Sequence, residues 1–273
     1  MNTIVAPVNF SVNSHNAAKY AADMAMAMKA DLQLIHVLEI PMNSLEVPTT
    51  EYFMEELQMQ ADMYLKKLKD ELTLRTMGEL LISTALELGG IELRLEEFCR
   101  KLQPFIVVMG VSRDSMEGVL VGNRTNVAVN NLPFPLIVVP GDAVFHSFKK
   151  IVLACDPTDL SSDFYISYIR ELKQIFNTNF EVIHIIPEKG EGLEIPEDSF
   201  LLNTWNKKLS EFNPEVRFIR VESVEVGIQK YLYQHQADLL VVFPKNHNFF
   251  EFHRSNSKRI ARQSQIPVLS IHA

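Results

Sequence analysis

The sequence predicts an α/β protein made of two tandem doubly wound domains, each with an open, five-stranded, mostly parallel sheet flanked by helices. Three observations lead there. Short apolar runs rich in Val, Ile and Leu alternate with helix-period segments, and those runs are continuous where a half-exposed strand would alternate apolar and polar residues. The same order of elements also occurs twice along the chain. With 273 residues, 47% of them hydrophobic, either half is long and apolar enough to bury a core of its own. The domains are predicted as residues 1–146 and 147–273, with the boundary in the segment Gly141 to Ser147.

In the first half, Thr3 to Asn9 reads as a strand. Ser11, Asn13 and Ser14 then offer N-cap oxygens to a helix carrying Ala17, Ala18, Ala21, Ala22 and Ala25, small residues suited to close packing on a sheet. Leu32 to Val37 is the second strand, Tyr52 to Leu74 a long amphipathic helix and Glu79 to Leu86 the third strand, with Gly89 and Gly90 at its exit. A helix from Ile91 to Lys101 leads to the strand Phe105 to Gly110. A loop and a helix near Arg124 to Asn131 precede the closing strand Leu136 to Pro140.

The second half repeats the pattern. Its strands are Lys150 to Asp156, Asn179 to Pro187, Val216 to Val221, Ala237 to Phe243 and Ile266 to Ile271, and its helices Tyr165 to Phe176, Trp205 to Phe212 and Val226 to His235. Right-handed crossovers between parallel strands make both sheets doubly wound. The segment Pro187 to Ser199, rich in acids and glycine, is expected to be solvated and mobile.

Several function classes are disfavoured. A net charge of -8 opposes non-specific nucleic-acid binding. No apolar run is long enough to span a bilayer, and no basic segment with a cleavable apolar stretch opens the chain. Cys99 and Cys155 lie far apart without ligand spacing, which suits a reducing compartment, so the expected location is cytoplasmic and no metal is expected. His247 and His253 lack the partners a metal set needs. There is no Gly-x-Ser-x-Gly elbow, Walker A loop or His-Glu-x-x-His helix, so no standard nucleophile is visible and an enzyme is not expected. A phosphoacceptor receiver domain would need an acidic cluster at several strand ends, which Asn9 and a lone Asp156 do not supply.

The first strand with its following Phe-Ser, then Leu34-Ile35-His36-Val37, Ile106-Val107-Val108-Met109-Gly110 and Pro135-Leu136-Ile137-Val138-Val139-Pro140, resemble the universal stress protein family, and the second half carries similar signals. The resemblance implies a stress-response binding and regulatory protein. Nucleotide-binding members hold ATP at the carboxyl ends of the strands, where a glycine-rich loop after the fourth strand lets backbone N–H groups approach phosphate. In the first half Gly110, Gly118 and Gly122 remain, with Arg113 at the second glycine position and Asn123 at the hydroxyl position. Asn9 replaces the Asp that contacts nucleotide in those relatives, and Val37 is placed beside the base. The expected site is therefore Asn9, Val37, Gly110, Gly122 and Asn123. A plainer reading stands beside it: the glycines shape a turn, and Asn9 caps the next helix without any ligand.

The second half keeps the acid as Asp156 but has Pro244 where Gly110 stands and fills the loop with Phe249, Phe250 and Phe252. Ser255 and Ser257 are its anion-binding candidates, though an ordinary helix cap is the role expected first. His36 and His184 occupy matched positions and are expected to be packed and hydrogen-bonded. Met54, Met59 and Met63 form a stripe read as core packing or a partner groove. The functional expectation is thus a binder of a small ligand such as ATP in the first domain, or a protein-interaction module with decayed sites, or thirdly a weak ATP hydrolase. The fifth strands, Leu136 to Val139 and Val268 to Ile271, are expected to turn the family's dimer contact into an intramolecular pseudo-dimer, with further oligomerisation through other surfaces.

Overall fold

The computed structural model describes residues 2–39, 51–111, 132–155, 163–187, 205, 207–243 and 264–271. The chain divides into two compact units, Met1–His146 and Ser147–Ala273. Each has the predicted α/β layering.

In the first unit, β1 (Thr3–Pro7), β2 (Asp31–Leu38), β3 (Ile82–Leu88), β4 (Ile106–Val111) and β5 (Leu136–Pro140) lie in the order β3-β2-β1-β4-β5, all parallel. Ile4, Val5 and Ala6 on β1, Val107 and Val108 on β4 and Ile137 on β5 are inaccessible to solvent, because helices cover both faces of a parallel sheet. Helix α1 (Val12–Met28) presses Ala17, Ala18, Ala21, Ala22 and Ala25 onto the sheet, and alanine at these positions allows the backbone to come close. Ser11 is its N-cap, with the hydroxyl oxygen accepting from the Ser14 N–H at 3.3 Å. Helix α2 (Glu51–Arg75) and helix α3 (Ile91–Leu102) complete the described elements of this unit.

Two expectations are corrected here. The third strand begins at Ile82 and not at Glu79, because the residues before it close α2: Met77 and Gly78 adopt positive φ, and the Gly78 N–H donates to the Thr73 carbonyl at 2.9 Å. Met59 and Met63 are not core residues. They are 68% and 59% exposed, while Ala61, Leu65, Leu68 and Leu72 make the buried stripe of α2.

In the second unit, β6 (Lys150–Ala154), β7 (Asn179–Pro187), β8 (Glu215–Val221), β9 (Leu239–Val242) and β10 (Val268–Ser270) run in the order β10-β9-β6-β7-β8, again parallel throughout. Helix α4 (Asp163–Phe176) buries Tyr165, Tyr168, Ile169 and Leu172. Helix α5 (Val224–Gln234) is capped by Ser223, and its Gly227 allows contact with Ile185 and Val221, whose methyl carbons would lie within 3.0 Å of an added Cβ. Trp205 and residues 207–209 are helical, but the predicted helix tightens into a 3₁₀ turn at Ser210–Phe212.

At the amino ends of β6 and β7, Glu181 accepts from the Tyr231 hydroxyl and pairs with Lys150 Nζ at 2.6 Å. Burial raises the Glu181 pKa, but the bonds from Lys150 and Tyr231 and the charges of Lys150 and Arg217 outweigh it, so the carboxyl lies below its ordinary value of 4.5. A lowered carboxylate pKa contributes stability that is fully present above the unfolded-state value and is lost as pH falls through the folded value. Glu181→Gln is therefore expected to destabilise the second unit at pH 7 by roughly 1–2 kcal/mol, with the deficit shrinking below about pH 4.5. Chemical denaturation at several pH values measures it, and a deficit independent of pH would refute the assignment.

Candidate functional site

The sheet order of the first unit reverses between β1 and β4, so the crossovers leaving these two strands depart in opposite directions and open a crevice at their carboxyl ends. Asn9 follows the tip of β1, Val37 is near the end of β2 and Gly110 near the end of β4, so three of the sequence-predicted residues fall on three adjacent strands. Gly122, Asn123, Asp156, Ser255 and Ser257 lie outside the described residues, as do the helix expected near Arg124 to Asn131, Arg113, Gly118, the segment 188–200 and the phenylalanine-rich loop of the second half.

Asn9 is exposed and closes a tight turn. Its Oδ1 accepts from the Ser11 N–H at 3.2 Å and from the Ser11 hydroxyl at 2.7 Å, while its own N–H donates to Ser14 Oγ at 3.3 Å. A backbone N–H can only donate, so the carboxamide oxygen must face it. The Asn9 NH₂ group consequently points away from the turn, and among the described residues it meets no acceptor.

Gly110 has a packing reason to be glycine. A Cβ there would stand 2.7 Å from the Asn13 carbonyl carbon and closer still to its oxygen, because the first turn of α1 lies directly against the tip of β4. Asn13 also reaches β5: its Oδ1 would be 2.5 Å from a Cβ on Gly141. One helical turn further, Asn16 Nδ2 donates to the carbonyls of Pro140 at 3.3 Å and Ala143 at 3.0 Å. Sequence reading missed this clamp, although two asparagines spaced i, i+3 at a helix start are a visible signal of polar contacts on one face.

The matched histidines do the same job in both units. His36 Nδ1 donates to the Val8 carbonyl at 2.7 Å, and His184 Nδ1 donates to the Cys155 carbonyl at 3.2 Å; a carbonyl only accepts, which places the proton on Nδ1. Each imidazole thus ties the second strand of its unit to the end of the first. Phe10, at φ 60°, stacks on His36 with centroids 4.4 Å apart and meets Tyr64 of α2 at 5.2 Å. Among the described residues no three His, Cys, Asp or Glu side chains are grouped so as to hold a metal ion. Burial pushes the Cys99 thiol up to about 12, which makes it a poor nucleophile.

These features define a doubly wound α/β module whose strand order reverses between β1 and β4. A profile of the Universal stress protein family matches residues 1–140, just over half of the chain, and the chain belongs to that family. The fold is shared with a universal stress protein from Archaeoglobus fulgidus DSM 4304, at a TM-score of 0.75 and 14% identity over 99% of this chain and 98% of that one. It is also similar to a functionally unknown protein from Pseudomonas aeruginosa PAO1, at a TM-score of 0.60 and 11% identity over 100% of this chain and 92% of the other. Comparison with curated proteins gave no match. No helix among the described residues is long and apolar enough to cross a membrane.

Proposed function

We propose that the first unit is a regulatory binding module, not an enzyme, and that its ligand is an adenine nucleotide such as ATP. The observation that carries this reading is the meeting of Asn9, Val37 and Gly110 at the carboxyl ends of adjacent strands beside the β1/β4 switch point, the place where open α/β sheets take ligands. The outward NH₂ of Asn9 supplies donors to a ribose or base, the buried Val37 an apolar neighbour for the base, and Gly122 and Asn123 the donors a phosphate needs. The two buried free thiols suit a reducing compartment, the cytoplasm.

One observation favours the alternative of an interaction module without a nucleotide. The Asn9 oxygen is already committed to Ser11, so the turn is complete without a ligand. Isothermal titration of the full chain with a panel of adenine nucleotides separates the two. A saturable event is expected, and Gly122→Val should weaken it by roughly 10- to 100-fold through lost backbone donors to a charged group. Undiminished affinity in that variant, or a nucleotide held only beside Asp156, would sink the proposal.

A further inference from the structure

The described methionines span the whole range of exposure. Met24 on α1 and Met109 on β4 are 1% and 7% exposed, and Met26, Met28 and Met54 are intermediate. Met59, Met63 and Met77 are 68%, 59% and 88% exposed, and all three belong to α2 or to the turn that closes it. Met59 and Met63 stand about one helical turn apart, which makes their side chains neighbours on the outer face of the helix. Neither belongs to the stripe of Ala61, Leu65, Leu68 and Leu72 by which α2 is docked.

Exposure decides the chemistry open to a thioether. A hydroperoxide oxidises the sulfur only where it can reach a lone pair, and water suffices to carry the proton. The sulfur attacks the terminal peroxide oxygen: an S–O bond forms as the O–O bond breaks, and the sulfur gives up two electrons. The hydroxyl proton passes to the departing oxygen, which leaves as water or an alcohol. The product is a sulfoxide, polar where the thioether was apolar. In a core that change sets a polar oxygen among apolar neighbours and costs stability. At positions 59 and 63 it removes nothing that holds α2 in place. Lys66 and Lys67 follow Met63 by three and four residues, the spacing at which a lysine can donate to the new sulfoxide oxygen.

We propose that Met59 and Met63 form a reversible modification site for hydroperoxides, a thioether pair in which each sulfur takes up one oxygen while the first unit stays folded. The outer face of α2 thereby turns from apolar to polar. The site is separate from the crevice and does not depend on a ligand there.

Graded treatment of the full chain with hydrogen peroxide, followed by peptide mass spectrometry, tests it. Met59 and Met63 are expected to gain oxygen at rates within about threefold of Met77 and at least about tenfold faster than Met24 and Met109. Cys99 and Cys155 are buried, which shields both thiols from the oxidant. At the dose that converts Met59 and Met63, thermal unfolding by circular dichroism should stay within about 2 °C of the untreated protein. The two methionine sulfoxide reductases, one for each sulfoxide epimer, should together restore the original mass. The treated parent should also be held less strongly on a hydrophobic column, and Met59→Leu with Met63→Leu should remove the larger part of that change. Met59 and Met63 oxidising no faster than Met24, a protein that unfolds once they are converted, sulfoxides that the reductases leave in place, or a column shift that survives the double variant would each overturn the inference.

Discussion

Gly110→Ala should destabilise the first unit by about 3 kcal/mol, the upper part of the range for overpacking a tight interior. The added methyl meets the backbone of Asn13, which has no rotamer to give way, so α1 or β4 must shift. Gly141→Ala is the matched control. There the methyl meets the Asn13 side-chain oxygen, which can rotate, and the cost falls to about 1 kcal/mol. Thermal unfolding followed by circular dichroism reads both, with roughly a 10 °C fall expected for the first change in a unit of this size. Equal, small losses in the two variants would show that the first turn of α1 is not wedged against β4.

Trp205→Ala should cost the second unit about 4 kcal/mol. Trp205 is the chain's one tryptophan, wholly buried, with its ring 5.2 Å from His184 and 5.7 Å from Phe218. Truncation removes the largest buried side chain and opens a cavity between two strands and the helical turn that covers them. Trp205→Phe should cost far less, about 1 kcal/mol. Its smaller ring still fills most of the space, and it removes an indole N–H that finds no acceptor among the described residues. Denaturant titration by circular dichroism compares them. A phenylalanine variant as unstable as the alanine one would mean that the N–H, not the ring, is what the site requires.

The elements that could be read from the sequence are those whose own residues contain the whole signal. Strands β5 and β7 begin and end where predicted because β5 is an unbroken apolar run between Pro135 and Pro140, and β7 runs from a helix end to Pro187. Strand β3 was misplaced at its start because Met77, an ordinary residue, takes positive φ to close α2, a conformation with no composition signature. The stripe of methionines misled for a related reason: apolar spacing identifies a helix face but not which of two apolar faces meets the sheet. At the crevice, the glycine at position 110 was visible but its packing role was not, since it depends on Asn13 arriving from a distant part of the chain. The hydrogen bonds of His36 and His184 could be expected from their repetition, whereas the acceptors, Val8 and Cys155, required the folded register.

The contacts of Asn13 and Asn16 also have a mechanical side. One glycine without room for a methyl, Gly110, and two amide hydrogen bonds from Asn16 fuse the start of α1, the tips of β4 and β5 and residues 140–143 into one stiff block. That block borders the crevice on one side and, on the other, is the stretch of backbone by which the chain leaves the first unit. A force applied at the strand tips is thus not absorbed by a soft turn. The segment after Ala143 therefore starts from a fixed anchor.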